Sequence, residues 1–518
     1  MTTQKMSDHY KGNPMNEFVV ATPGDVFEFN ELFRNVTGSA GYIAANNIFS
    51  RLVTAETIGD AVYPDLAHHW EILDGAQRYR FYLNPNARWQ DGVPLTSADV
   101  EYSHKEALKK GYNGASYLVG VTEINVIDEH TIDYILEEPN SGFLTQLGSF
   151  VFTHIIPKHL FENTDWATNP HNLDPVGSGP FRLERSIPGE KIELVAVPDY
   201  WGPPPGVDRI TIRIMPDRDE ALQEVLSGRV HYVTQDVLTR PTVPLVEGVE
   251  GLRVIRETGI GVAMIGFNYT QDRFQDRRVR EGIARAINRE ELTAKLGDPG
   301  WSGSTDVWLP KSVEWAFNPD AKAPSFDLDR AKELLDEAGL APDADGVRMT
   351  LRMFHMAVFP GHGGLGTVLA EQFAKVGIVM TVEALDSADW FTQIQRDADF
   401  DLTISSGNMV PDPQVTAPRF ETGGQRNHTR YSNAEVDRLY REARSVVARS
   451  VRGEHYRQLQ TEIANDVGYV PLWAGCLYSV ASDKFFGLSS QLEGRVPYWH
   501  WGRVRPSDNV ANVGQEKS

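Results

Sequence analysis

FNYTQDRFQDRRVREGIARAINREELTAKL, residues Phe267 to Leu296, lies near the middle of the chain and decides how the rest is read. It begins at the end of an apolar run, Ala263 to Phe267, crosses a short polar segment and then carries two helix starts. Asp276 is placed to cap the first helix, and Val279, Ile283, Ala286 and Ile287 follow at the spacing of one buried stripe. Asn288, with Glu291 three residues on, has the form of a capping box for the second, whose Leu292 and Leu296 face one way. A strand followed at once by two capped helices reads as a chain leaving one lobe and founding another.

The 518 residues suffice for two or more lobes with their own cores, and a 41% hydrophobic content is ordinary for a globular chain. No apolar run approaches the roughly 20 residues a membrane span needs. A net charge of -21 argues against nucleic acid or anionic lipid as partner. The one cysteine, Cys476, excludes an internal disulfide; in the run Val470 to Val480 it reads as a buried inert thiol. The first residues, MTTQKMSDHYKGNPMNEF, have no apolar core or small-residue cleavage pattern, so no secretory signal is expected there.

Upstream, Phe18 to Ala21 reads as a strand, and Thr37-Gly38-Ser39 leads into a helix that buries Ile48, Phe49 and Leu52 and keeps Tyr42 and Asn46 near the loop. Tyr79, Phe81 and Leu83 alternate as in a half-buried strand; Thr96 with Asp99 forms a capping box. Val121 to Asp128 and Thr131 to Glu137 form a hairpin turning at Asp128-Glu129. Gly177 and Gly179 in GSGPF are read as permitting a sharp turn, and a second hairpin turns at Pro188-Gly189. Arg209 to Met215 is a strand, and Asp217 caps a helix ended by Gly228.

Downstream, strands at Val347 to Phe354, Ile378 to Leu385 and Phe400 to Ser405 alternate with helices at Leu365 to Val376 and from Ser387. That alternation predicts a parallel sheet with right-handed crossovers, hence an α/β lobe. Ser432 and Ser450 are expected to open two further helices.

Few motifs of chemistry stand out. Gly361 to Gly366, GHGGLG, fits a dinucleotide fingerprint, but six residues separate it from the strand end at Phe354, where the first glycine of a pyrophosphate turn must sit. A flexible loop or a ligand-facing helix N-terminus are the other readings of that segment. No local mark of a P-loop, a zinc protease or a hydrolase elbow occurs. His68, His69, His355, His362 and His500 are scattered, which favours structural roles over a metal site. Tyr498 to Trp501 could stack on a ring, though packed core is the commoner use of such residues.

Several blocks occur together in one order: PDLAHHW at Pro64 to Trp70, FYLNPNARWQDG at Phe81 to Gly92, TSADV at Thr96 to Val100, GSGPF, DYW, the opening stretch, DLDRAKELLDEAG at Asp327 to Gly339, FDLTISSG at Phe400 to Gly407 and YSNAEVD at Tyr431 to Asp437. In this the chain resembles the family 5 extracytoplasmic solute-binding proteins, the oligopeptide, dipeptide and nickel receptors of ABC importers. The resemblance implies an α/β, two-lobed, periplasmic-binding-protein-like fold of type II. Residues 1–266 plus 482–518 would form the first lobe, with an inserted subdomain at about 53–173, and 267–481 the second. It further implies a monomeric, non-enzymatic receptor without cofactor. Such a receptor closes over a small polar solute and delivers it to a membrane permease, outside the cytoplasm after removal of a signal.

Cleft positions implied by the resemblance are Thr37, Gly38, Tyr42 and Asn46 from the first lobe, Asn268, His355, Gly407, Asn408, Met409 and Asp412 from the second, and Trp473 at the return crossing. Peptide binders of this group often place a Trp and then an Asp after the strand aligned with Phe400 to Ser405. Here Asn408 stands there, and the nearby carboxylate, Asp412, is displaced along the chain. Dipeptide receptors use an arginine after the strand ending near Phe354, where this chain has His355. Carbohydrate-like solutes, metal chelates held through His355 and His362, and a nucleotide-dependent enzyme using Gly361 to Gly366 are the alternatives.

Overall fold

The computed structural model describes residues 16–33, 39–55, 62–149, 152–235, 237–297, 302–357, 360–386, 389–406, 412–488 and 501–507. The first lobe opens with β1 (Glu17–Thr22) and α1 (Ser39–Ile48). A separate four-stranded antiparallel sheet follows, built from β2 (Ala67–Leu73), β3 (Arg78–Leu83), β4 (Val121–Asp128) and β5 (Thr131–Leu136) in the order β2-β3-β5-β4. Between β3 and β4 runs α2 (Ser97–Lys110), opened by the expected Thr96/Asp99 capping box and closed by Gly111 in the left-handed region. Tyr79, Phe81, Leu83, Ile132 and Tyr134 give this sheet its own core.

The chain returns to the main sheet through β6 (Phe181–Ile187), β7 (Lys191–Ala196), β8 (Arg209–Ile214) and β9 (Tyr232–Val233). The chain bends at 178–180 as expected, with Gly177 and Gly179 outside the left-handed region. A Cβ on Gly177 would lie 1.9 Å from the Ile48 carbonyl oxygen, and the glycine is needed for that close approach to the end of α1.

β10 (Leu252–Phe267) then carries the chain into the second lobe. There α3 (Arg277–Arg285) and α4 (Arg289–Leu296) appear where the opening stretch places them. The Asp276 carboxylate accepts from the Arg278 amide, and Val279, Ile283, Ala286 and Ile287 are all buried. Removing that cap in Asp276→Ala should cost about 1 kcal/mol, seen as a lower melting temperature with unchanged far-UV dichroism. At α4 only half of the box forms: Asn288 accepts from the Glu291 amide, while its own amide donates to Gln372.

The remaining elements are β11 (Met349–Met356), α5 (Pro360–Ala374), β12 (Ile378–Leu385), β13 (Leu402–Ser406), α6 (Ala434–Arg444), α7 (Arg449–Asp466) and β14 (Tyr469–Ser482). Two helix starts differ from expectation. Asn433, whose shorter reach to the Glu435 and Val436 amides wins over Ser432, caps α6, while α7 begins at Arg449 after Ala448 with no side-chain cap. Cys476 is half-buried, because it sits on the strand shared by both lobes and not inside either core.

The main sheet runs β12-β11-β13-β10-β14-β9-β1-β8-β7-β6, with Gly303–Ser304 pairing β14 off this path. The sheet as a whole is mixed, while the three strands read as a parallel set do pair in parallel. β11 pairs parallel with β12 and β13, but β10 pairs antiparallel with β13 and β14. The two crossing strands enter and leave the lobe in opposite senses, and no alternation of strands and helices reports that. Both strands serve two cores. Val262 to Phe267 and Tyr469 to Leu472 join the second lobe's core, whereas Ile255 and Ala481 join that of the first. The register of β10 on β14 shifts between Thr258 and Val262, where the strand passes from one core to the other. Phe267 and Ala481, the expected limits, lie at or next to the ends of these shared strands.

Candidate functional site

Parallel strands β11 and β13 end side by side, at Met356 and Ser406, and α5 starts four residues after the first of these ends. Its first turns contain the run Gly361 to Gly366, so that run is helical. This corrects the flexible-loop reading and removes the strand-end turn that a dinucleotide would need. The glycines serve packing. A Cβ on Gly363 would stand 3.3 Å from His355 Nε2, so the bare helix turn lies directly against the His355 ring at the end of β11. His362, from the same turn, meets the Ser406 hydroxyl at 2.8 Å through Nε2, and the two imidazole centroids are 6.4 Å apart. Burial, with the neighbouring charges of His355 and Arg419, pushes His362 down to about 4, so its ring is neutral at pH 7.

Arg419 approaches the same strand ends, and its residue type and spacing gave no sign of it in the sequence. Its Nη1 donates to the Ser405 hydroxyl at 2.9 Å. Among the described residues no carboxylate lies within ion-pair distance of it; burial lowers its pKa, and the like charge of Arg426 adds to the lowering. His428, pushed down to about 3 by burial and then by Arg419, is neutral as well. Among the described residues this guanidinium has one hydroxyl partner and no counter-charge, which leaves donors that an anionic group could take.

The expected cleft residues fall into three groups. Thr37, Gly38, Gly407, Asn408 and Met409 lie outside the described residues. Asn46, Asn268 and Asp412 are buried and committed to the protein itself. The Asn46 amide donates to the Tyr42 carbonyl and its oxygen accepts from Arg51. The Asn268 amide donates to the carbonyls of Ala398 and Phe400, each at 2.7 Å, while its oxygen takes Thr270. Asp412 accepts from Arg452 and from the Gln414 amide. The third group differs in exposure: Tyr42 is part-buried with its ring 6.2 Å from Phe152, Trp473 is part-buried on β14 opposite Ala263 and Ser304, and His355, at the end of β11, is buried with its Nδ1 3.1 Å from the Met356 carbonyl oxygen. His68 and His69 are exposed on β2, and Trp501 packs edge-on to Phe18 at 5.3 Å, which makes it core. Tyr498 and His500 lie outside the described residues.

The family described as "Bacterial extracellular solute-binding proteins, family 5 Middle" matches residues 61–427, well over half of the chain. The chain belongs to this family. Among curated relatives, the oligopeptide-binding protein AppA of Bacillus subtilis is 25% identical over 88% of this chain and 86% of its own length. A structure of that protein in complex with a nonapeptide covers 95% of this chain and all of its own, with 22% identity and a TM-score of 0.79. NikZ from Campylobacter jejuni in complex with Ni(L-His) covers 92% of this chain and 96% of its own, with 21% identity and a TM-score of 0.77. As a family 5 solute-binding protein the chain is a receptor of the ABC-importer type with a mixed α/β two-lobed fold.

Proposed function

We propose that this family 5 protein captures an oligopeptide, or a similarly sized polar organic solute bearing an acidic group, between its lobes and hands it to a membrane permease outside the cytoplasm. Arg419 at the ends of β11 and β13 carries the reading, since it is the one guanidinium at that edge held by a hydroxyl and by no acid among the described residues. The relatives that bind peptides give the size class. The lobe boundary is proposed inside the shared strands, between Ile255 and Val262 and between Ala474 and Cys476, since the residues of each pair join different cores. The protein works as a monomer and without turnover.

Closure needs only a ligand that touches both halves more strongly when they are together. Binding then stabilises the folded chain by about 2.7 kcal/mol at a ligand concentration of 100 Kd. A thermal-shift plate of tri- to nonapeptides, oligosaccharides, acidic sugar conjugates, nickel-histidine and dinucleotides tests the reading. Peptides or acidic solutes should raise the melting temperature in a concentration-dependent way, and a shift with dinucleotides alone would overturn it.

A nickel-chelate reading is favoured by His355 and His362 lying together and by the likeness to NikZ. Among the described residues no group of three or more His, Cys, Asp or Glu is gathered to hold a bare metal ion. The metal would therefore arrive already chelated, and the nickel-histidine wells report it.

A further inference from the structure

Beyond the shared strands β10 and β14, the inserted subdomain and the second lobe meet at a second place. The loop that follows β5 is tied firmly to its own sheet: the Asn140 amide donates to the Ala76 carbonyl, and the buried Tyr79 hydroxyl donates to the Asn140 carbonyl at 2.7 Å. The outer side of this loop faces the other lobe. The Ser141 amide donates to the Arg444 carbonyl at 2.9 Å, the Ser141 hydroxyl reaches the Ala443 carbonyl at 3.4 Å, and Glu138 faces the Arg444 guanidinium at 3.8 Å. Those two carbonyls belong to the last turn of α6, where the helix's own amides run out; the Ala443 oxygen is shared with the Val446 amide at 3.4 Å. Gly142 then closes the contact, because a Cβ there would stand 2.8 Å from the Gln414 Cβ of the second lobe.

We infer that residues 138–142 form a clasp that holds the inserted subdomain against the second lobe when the lobes are together and no solute is bound. Its seat is rigid. Gln414 is buried, its side-chain oxygen accepts from the Tyr456 hydroxyl at 3.0 Å, and its amide donates to Asp412, which both oxygens tie to Arg452 at 2.7 and 2.8 Å. With both faces already ordered by their own lobes, docking them costs little conformational entropy, so a few hydrogen bonds suffice to bias the equilibrium. Asp412 also lies three residues beyond Gly407, Asn408 and Met409, which the family resemblance places at the cleft, so the clasp seat and those positions are close in the chain. The inference rests on the two-lobed receptor reading but not on the nature of the cargo.

Hydrogen exchange of the Ser141 amide reports the clasp directly, since the acceptor the structure shows for it lies in the other lobe. In the full chain with no solute added, this amide should exchange at least about 10-fold more slowly than in a free peptide. Gly142→Ala introduces a methyl whose two closest neighbours are Gln414 atoms, so it should return the Ser141 amide to within about threefold of the free rate, with the Leu136 amide of β5 still protected. Adding Gln414→Gly should restore protection by removing the overlapping side chain. An unprotected Ser141 amide in the unsubstituted chain, or equal protection in Gly142→Ala, overturns the clasp. If Gly142→Ala also exposes the Leu136 amide, the unsubstituted chain and the double variant decide. No solute enters the experiment, so a failure of the transport reading, seen on the thermal-shift plate, leaves this result standing and the reverse is also true.

Discussion

Arg452→Ala is expected to destabilise the protein by about 3–5 kcal/mol, the range for stripping one member from a buried ion pair. The side chains of Arg452 and Asp412 are 6% and 7% exposed, and one guanidinium nitrogen reaches both carboxylate oxygens. The guanidinium also donates to the Tyr456 hydroxyl at 3.1 Å and lies over the Trp315 ring at 5.3 Å. Truncation would leave the Asp412 carboxylate buried without a cation, and that uncompensated charge, more than the lost contact, sets the size of the effect. Its consequence can be separated by the partner. Asp412→Asn keeps an oxygen for the Gln414 amide, so it preserves the turn cap at Pro413–Thr416 while removing the charge. In the double variant Asp412→Asn with Arg452→Met, most of the loss should return, giving a coupling of at least about 1.5 kcal/mol in a double-mutant cycle read by urea unfolding. Additive losses, or a drop under about 1 kcal/mol in Arg452→Ala, would mean that the pair is not the structural device described here.

That pair also shows where sequence reading stops. Asp412 was expected at the cleft because it was the carboxylate nearest to the position where peptide receptors carry one. Whether it faces a ligand depends on a partner 40 residues away on α7, and side-chain pairing at that separation leaves no periodic signal. Asn268 shows the same limit: its amide is taken by carbonyls at Ala398 and Phe400, more than 100 residues downstream. Features whose cause is local were legible. Asp276 caps α3, Thr96 and Asp99 box α2, and the alternation of Tyr79, Phe81 and Leu83 marks β3, since each depends on geometry within a few residues. The glycine run at Gly361 to Gly366 is an intermediate case. Its helix propensity is poor, yet it is helical, and at Gly363 the bare turn leaves room for the His355 ring.

Arg419 is the residue on which the cargo turns. Arg419 is part-buried; among the described residues its side chain donates to the Ser405 hydroxyl, and its remaining donors keep contact with solvent. A carboxylate of the bound solute would take those donors, in two parallel N–H···O bonds if the geometry allows. Arg419→Ala should then weaken binding of the acidic or peptide solute found on the thermal-shift plate by about 100-fold, near 2.7 kcal/mol, within the range for truncating one partner of a desolvated charge pair. Because its remaining donors are solvated in the free receptor, the same substitution should change the melting temperature little. A large loss of affinity beside a small change in stability separates a binding role from a structural one. Arg419→Lys, which keeps the charge but loses the planar fork, should retain an intermediate affinity. Titration calorimetry showing an affinity within about threefold of the unsubstituted chain, together with a lowered melting temperature, would assign Arg419 to the scaffold of the second lobe and remove the acidic group from the description of the cargo.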